Sequence, residues 1–216
     1  MQVIDLTHTI EEGMPAYPGS EGVRLESLAG IDPDGYNELM LHFPTHTGTH
    51  IDCGRHFLAG GPDTSRNPER FIGRGLVIDC QRQGKARIIA KTYLQQFESR
   101  LKQADFVIFH TGWSRFWGTT DYFSGFPVPD QEAARYLTGF QLKGIGTDTV
   151  SFDHIDSHEF QIHKIFLAAG FTLIENLANL KKLPMEGFLF SCLPLKIKDG
   201  DGSPVRAVGV LGTTGN

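Results

Sequence analysis

The sequence predicts an α/β fold with a mixed sheet, and two observations carry that expectation. Short apolar runs bounded by Gly, Pro and Asp are interleaved with segments of helical spacing, the pattern of layered strands and helices. Roughly the first seventy residues are rich in Gly and Pro instead, and read as β structure with long loops. The expected strands are, in order, Val3 to Leu6, Val23 to Glu26, Leu39 to Phe43, Leu76 to Asp79, Phe106 to Phe109 and Phe171 to Ile174. Three helices are expected between and after them. Thr92 to Leu101 places Tyr93, Leu94, Phe97 and Leu101 on one stripe, and Gln131 to Leu137 follows Asp130, whose carboxylate suits a helix N-cap. The third runs from Ser157 to Ala169 and stops at Gly170, a residue that takes the left-handed conformation of a helix end without strain.

With 216 residues, 40% hydrophobic and 21% charged, the chain can bury one substantial core, so residues 1–216 are expected to form a single domain. No linker, repeat or low-complexity tract divides it. A net charge of −5, with Lys and Arg scattered, argues against a phosphate-binding surface, and nucleic acid is not an expected partner. No run approaches the roughly 20 apolar residues of a membrane span, and Met1 to His8 lacks a cationic stretch followed by an apolar one. No membrane partner is expected, and the cytoplasm is the expected location. Cys53, Cys80 and Cys192 match no zinc-ribbon or Cys-x-x-Cys spacing and read as reduced, buried thiols.

One stretch is dense in metal-ligand chemistry. His46-Thr-Gly-Thr-His50-Ile-Asp52-Cys-Gly-Arg-His56-Phe57 holds three of the nine histidines. His46, His50, Asp52 and His56 are spaced by even numbers and would share one face of a strand. A straight strand is too long, however: at roughly 3.3 Å per residue His46 and His56 would lie about 33 Å apart, whereas each ligand sits about 2 Å from its metal. The chain must bend, and Gly48 and Gly54 stand in the two wider gaps, where positive φ or close backbone approach is available. His163, in the third expected helix, and Glu175, after the last expected strand, are weaker candidates. Taken alone, a salt bridge or an exposed position explains Glu175 better than a metal, and a satisfied core or surface histidine explains His163 better than a ligand.

The run His46-Thr-Gly-Thr-His50-Ile-Asp52, with His56-Phe57 behind it, resembles the signature of the metal-dependent cyclase family, whose members include bacterial kynurenine formamidases and isatin hydrolases. Asp5-Leu6-Thr7-His8, Met14-Pro15, Tyr17-Pro18-Gly19, Thr111-Gly112-Trp113, Gly146 to Ser151 and Glu175-Asn176-Leu177 resemble further landmarks of that family. The resemblance implies a swivelling β/β/α (cyclase-like) fold and a homo-oligomer, most simply a dimer. It implies His46, His50 and Asp52 on a first divalent metal, Asp52, Glu175 and His163 on a second, His56 as general acid/base, and Tyr17 near the substrate. One or two ions per chain are expected, zinc first and manganese second; the nitrogen and oxygen donors suit either. The implied activity is a metal-dependent hydrolase that cleaves an amide C–N bond of a small molecule, such as an aryl formamide or a cyclic amide, with activated water as nucleophile.

Two departures bear on the substrate. Cys53-Gly54-Arg55 stands where the family often has a proline-containing loop, and Gly54 should make that loop more permissive; Tyr17 stands where kynurenine formamidases have Trp. A metal-dependent cyclase or lyase of polyketide-like substrates is the second reading, and a non-catalytic metal-binding protein the third. The adjacent His56 weighs against the last, since a purely structural site closes its ligand shell and needs no acid/base. Trp113, Phe116 and Trp117 read as core, and Cys53 as a structural thiol pointing away from the ligand face.

Overall fold

The computed structural model describes residues 1–81 and 87–212. A nine-stranded sheet spans it, built from β1 Gln2–Asp5, β4 His50–Asp52, β5 Ile72–Asp79, β7 Phe106–His110, β9 Gly144–Thr147, β10 Thr172–Glu175, β11 Phe188–Ser191, β12 Gly202–Pro204 and β13 Val208–Leu211. The spatial order is β1-β13-β11-β5-β7-β9-β10-β4-β12. The middle strands β5, β7, β9 and β10 are parallel, and the flanking ones pair antiparallel on both sides, so the sheet is mixed as expected. Two small ribbons stand apart: the hairpin of β2 Arg24–Ala29 with β3 Glu38–His42, and the short pair of β6 Ile88–Ile89 with β8 Val128–Pro129.

Alternation along the parallel strands divides the core in two. Leu76, Ile78, Val107, Phe109, Ile145 and Leu173 face a helical layer, whereas Val77, Phe106, Ile108 and Ile174 face a second cluster with Phe188 and Phe190. Both faces are therefore buried, as parallel strands require. The helices are α1 Ile31–Asp34, α2 Lys91–Leu94, α3 Glu98–Leu101, α4 Gln131–Leu137 and α5 Gln161–Ala168. Leu94, Leu101, Ala133, Ala134, Leu137, Ile162, Phe166 and Leu167 form the helical side of the larger cluster.

Asp130 caps α4 as its position suggests, accepting the Ala133 N–H at 2.7 Å. Two helices differ from expectation. The stripe from Thr92 to Leu101 is split into α2, a 3-10 turn Gln95–Phe97 and α3, because the Phe97 backbone (φ −106°, ψ 9°) leaves the helical region. The third helix starts at Gln161 and not at Ser157, because Phe160 is left-handed (φ 48°, ψ 49°). The strands β4, β6, β8, β9, β11, β12 and β13 were not expected either: Gly-Ile-Gly-Thr and Gly-Ser-Pro lack an apolar run, β4 carries polar donors on one face, β6 and β8 are two residues long, and the apolar β11 and β13 are four residues each. No helix among the described residues is long and apolar enough to cross a membrane.

Candidate metal centre

The strand pair β4 and β10 sets the centre. Their antiparallel register puts Glu175 opposite His50 and Leu173 opposite Asp52. Because the side-chain period is two, His50, Asp52, Glu175 and Leu173 share one face, and Ile51 and Ile174 point into the core behind it. The donor face is the helical one, so α5 can deliver His163 to it. The two remaining histidines arrive by bends. Gly48 is left-handed (φ 59°) and turns the chain so that His46 folds back over β4. A 3-10 turn, Gly54–His56, returns His56 toward the same place. Gly54 serves that turn by close approach rather than by freedom: a Cβ there would lie 2.6 Å from Pro62 Cδ, and the Arg55 N–H donates to the Pro62 carbonyl. The loop expected to be permissive is therefore packed tightly.

All six residues singled out in the sequence for metal or proton chemistry converge around Asp52. Its Oδ1 lies 2.7 Å from His46 Nδ1 and 3.3 Å from His50 Nε2, and its Oδ2 lies 3.5 Å from His163 Nε2. Glu175 stands across from it, with Oε1 3.1 Å from His163 Nε2 and Oε2 3.5 Å from His50 Nε2. Two compact donor groups result, His46 with Asp52 and His56, and His50 with Asp52 and Glu175. Asp52 belongs to both. The resemblance had instead grouped His50 with His46, and had kept His56 outside the donor set.

Three carboxylates of the centre, Asp52, Asp153 and Glu175, are buried, and among the described residues their ion-pair partners are histidines. Burial pushes the Asp52 carboxyl up, but His46, His163 and His50 outweigh it and hold the group well below its usual range. Glu175 is raised, by burial first and then by the charge of Asp52. Burial would lower His46, yet Asp52 and Asp201 more than offset it and carry the ring to about 9. His56 goes the other way, down to about 4, chiefly through burial.

The His50 ring tests whether a cation fits. Its Nδ1 lies 2.8 Å from the Gly48 carbonyl, which can only accept, so Nδ1 carries the proton. Nε2 then points at Asp52 Oδ1 at 3.3 Å and at Glu175 Oε2 at 3.5 Å. Three electron-rich atoms pointed at one another in a buried place repel unless positive charge lies among them. A nitrogen and oxygen donor set of this kind suits a divalent cation.

A cavity of about 370 Å³ opens onto the donors, and Tyr17, Phe57, Tyr122 and Phe160 line it. Tyr17 thus stands at the cavity as the resemblance implied. Tyr122 is locked by its hydroxyl, which donates to Asn176 Oδ1 at 2.7 Å, while Asn176 Nδ2 donates to the Gly48 carbonyl. Trp113, Phe116 and Trp117 pack behind this wall in an aromatic cluster, in keeping with their reading as core. Cys53 is fully buried beside Ile51, and burial pushes its thiol up to about 12.

Two residues of the centre had no signal in the sequence reading. Asp153 Oδ2 lies 2.6 Å from His163 Nδ1. Asp201, at the entry to β12, has Oδ2 2.9 Å from His46 Nε2 and 3.6 Å from His56 Nδ1. Each is a single carboxylate in a loop; Asp201 is far along the chain from His46, Asp153 precedes His163 by ten residues, and no spacing rule links either pair. For Asp153 the only hint was its place two residues beyond the landmark run Gly146 to Ser151.

Fold and donors together define a protein built to hold a divalent cation at the end of a small-molecule cavity. The chain belongs to the "Putative cyclase" family, whose pattern matches residues 4–154. It is similar to a kynurenine formamidase of Salinibacter ruber, 30% identical over 212 residues that cover 96% of this chain and 97% of that protein. Among solved structures it is similar to isatin hydrolase A from Labrenzia aggregata bound to benzyl benzoate, with a TM-score of 0.85, 29% identity and coverage of 97% of this chain and 93% of the other. A structure described as a "potential metal-dependent hydrolase with cyclase activity" aligns with a TM-score of 0.79, 27% identity and coverage of 96% of each chain. The family, the fold and the enzyme class expected from the sequence are borne out.

Proposed function

We propose that the protein is a metal-dependent amidohydrolase acting on a planar aryl amide, either an N-formyl arylamine or a cyclic amide fused to an aromatic ring. The observation that carries this reading is the His50 ring, tied by Nδ1 to Gly48 and aiming its Nε2 at two buried carboxylates. The names of the relatives support the amide class, and the aromatic cavity wall supports a flat substrate.

His46, His50, Asp52, His163 and Glu175 would hold the metal, zinc or manganese, as one ion or two that share Asp52. When bound, such a cation supplies Lewis acidity toward a carbonyl oxygen and toward water. Tyr17, Phe57 and Phe160 hold the aryl group and exclude bulk solvent from the cage. His56, kept neutral by burial, accepts a proton from the attacking water and returns it to the leaving nitrogen as the C–N bond breaks. Its position beside both His46 and the cavity supports that role. The His50→Ala variant should lose metal affinity by more than about 100-fold, exceeding the usual effect of an outer-shell change. Full metal content after chelation and dialysis would sink the assignment. Turnover of N-formyl arylamines, isatin-like cyclic amides and lactones by the metal-reconstituted protein decides the substrate class.

The protein would work as a homodimer. The exposed Leu39, Met40 and Leu41 of β3, with Ile31 and Tyr36 beside them, support contact with a second copy. Its three buried, unpaired thiols support a reducing compartment such as the cytoplasm.

A further inference from the structure

We infer that Asp153 is a positioning residue that decides which nitrogen of His163 faces the donor cage. The inference rests on the metal-centre reading for its consequence, though not for its geometry. The helix α5 begins after a left-handed Phe160 that offers no side-chain cap, so its first N–H groups need another acceptor. Asp153 supplies it from the preceding loop. Its Oδ1 accepts the Ile162 N–H at 3.1 Å and its Oδ2 accepts the His163 N–H at 3.0 Å.

The same Oδ2 lies 2.6 Å from His163 Nδ1. An ionised carboxylate can only accept, and two helix N–H groups hold this one ionised, so Nδ1 carries a proton toward it. Nε2 is the nitrogen that faces the cage, 3.1 Å from Glu175 Oε1 and 3.5 Å from Asp52 Oδ2, and its lone pair is the one a bound cation would take. His50 reaches the same state by a different acceptor, the Gly48 carbonyl. One buried carboxylate therefore both starts α5 and orients the imidazole that α5 carries. Helix position and ligand orientation cannot vary independently.

Asp153→Asn keeps one helix contact and removes the acceptor at Nδ1. With its oxygen in the place of Oδ1, an asparagine still accepts the Ile162 N–H and serves as an N-cap, but the amide nitrogen in the place of Oδ2 can only donate, so the His163 N–H loses its acceptor and the ring proton is driven onto Nε2 and into the cage. In zinc-loaded protein labelled with 15N-histidine, His163 should show a proton on Nδ1 protected from exchange. Asp153→Asn should lower zinc affinity about 10- to 100-fold in competition with a chelator, the usual effect of losing an outer-shell partner. Ala168→Gly, which weakens the exposed end of α5, should lower the melting temperature and leave zinc affinity within twofold.

A wild-type proton on Nε2, an Asp153→Asn affinity within twofold of wild type, or an equal affinity loss in Ala168→Gly would each overturn the inference. Should Asp153→Asn fail to fold, the wild-type Nδ1 proton decides it alone. Should the wild type bind no zinc, the functional reading falls, while exchange protection of the His163 Nδ1 proton in the metal-free protein, present in the wild type and lost in Asp153→Asn, still decides the placement of Asp153.

Discussion

The β4/β10 pair and the β2/β3 hairpin are both short antiparallel ribbons, yet they are stabilised in opposite ways. In β4 each residue is buried: His50 and Asp52 on the donor face, Ile51 in the core. In β3 the run Glu38 to Leu41 is exposed on both faces, and Leu39 and Leu41 keep 58% and 52% of their surface, so neither face packs on the chain itself. An isolated two-stranded ribbon is only marginally stable. The difference teaches that strand formation and strand burial are separate events. Donors on β4 are held by neighbours on both sides, whereas the hairpin leaves apolar surface available for another copy.

Four experiments break or sharpen that contrast, and the largest effect should come from the donor face. His56→Ala should keep its metal and lose about 10²- to 10⁴-fold in kcat, the usual contribution of a positioned proton-transfer group. Metal content and kcat measured on one preparation decide it; metal lost in proportion to activity would make His56 a ligand, in line with its grouping with His46 and Asp52. Next comes the core behind that face. Ile51→Ala should cost about 2 to 5 kcal/mol in urea unfolding, whereas Leu41→Ala at micromolar dilution should stay within about 0.5 kcal/mol. Equal costs for the two would mean that the hairpin leucines are covered after all.

The turn between the two histidine-bearing elements ranks third. Gly54→Ala forces a Cβ to within 2.6 Å of Pro62 Cδ, and the displaced loop should cost about 1 to 3 kcal/mol. A loss in kcat with KM unchanged would show that the shift reaches His56; an unchanged melting curve would mean the loop yields easily, as its sequence had suggested. The smallest effect on the folded chain belongs to the hairpin. Leu39→Asp with Leu41→Asp should alter monomer stability by less than about 0.5 kcal/mol while converting a dimer to monomer in sedimentation. A dimer that survives the double change places the contact elsewhere.

Local chemistry was legible in the residues themselves. The even spacing of His46, His50, Asp52 and His56, with the bend at Gly48, follows from strand period and chain reach, and it led to the donor cluster that the structure assembles. Long apolar strands such as Phe106 to Phe109 and the Asp130 cap were legible for the same reason: each is decided within a few residues. The broken helix after Thr92 and the late start of α5 escaped, because single backbone conformations at Phe97 and Phe160 ended the helical run against its spacing.

What the sequence determined alone was which residues bring metal-ligand chemistry and where the chain must bend to gather them. Only the tertiary structure decided which donors stand together, that Asp153 and Asp201 hold the imidazoles, and that the leucines of β3 stay exposed while Ile51 is buried. The reason is physical. Spacing and turn chemistry act over a few residues, whereas a hydrogen bond from His46 to Asp201 joins positions 155 apart, and its partner is chosen by sheet order rather than by any local period.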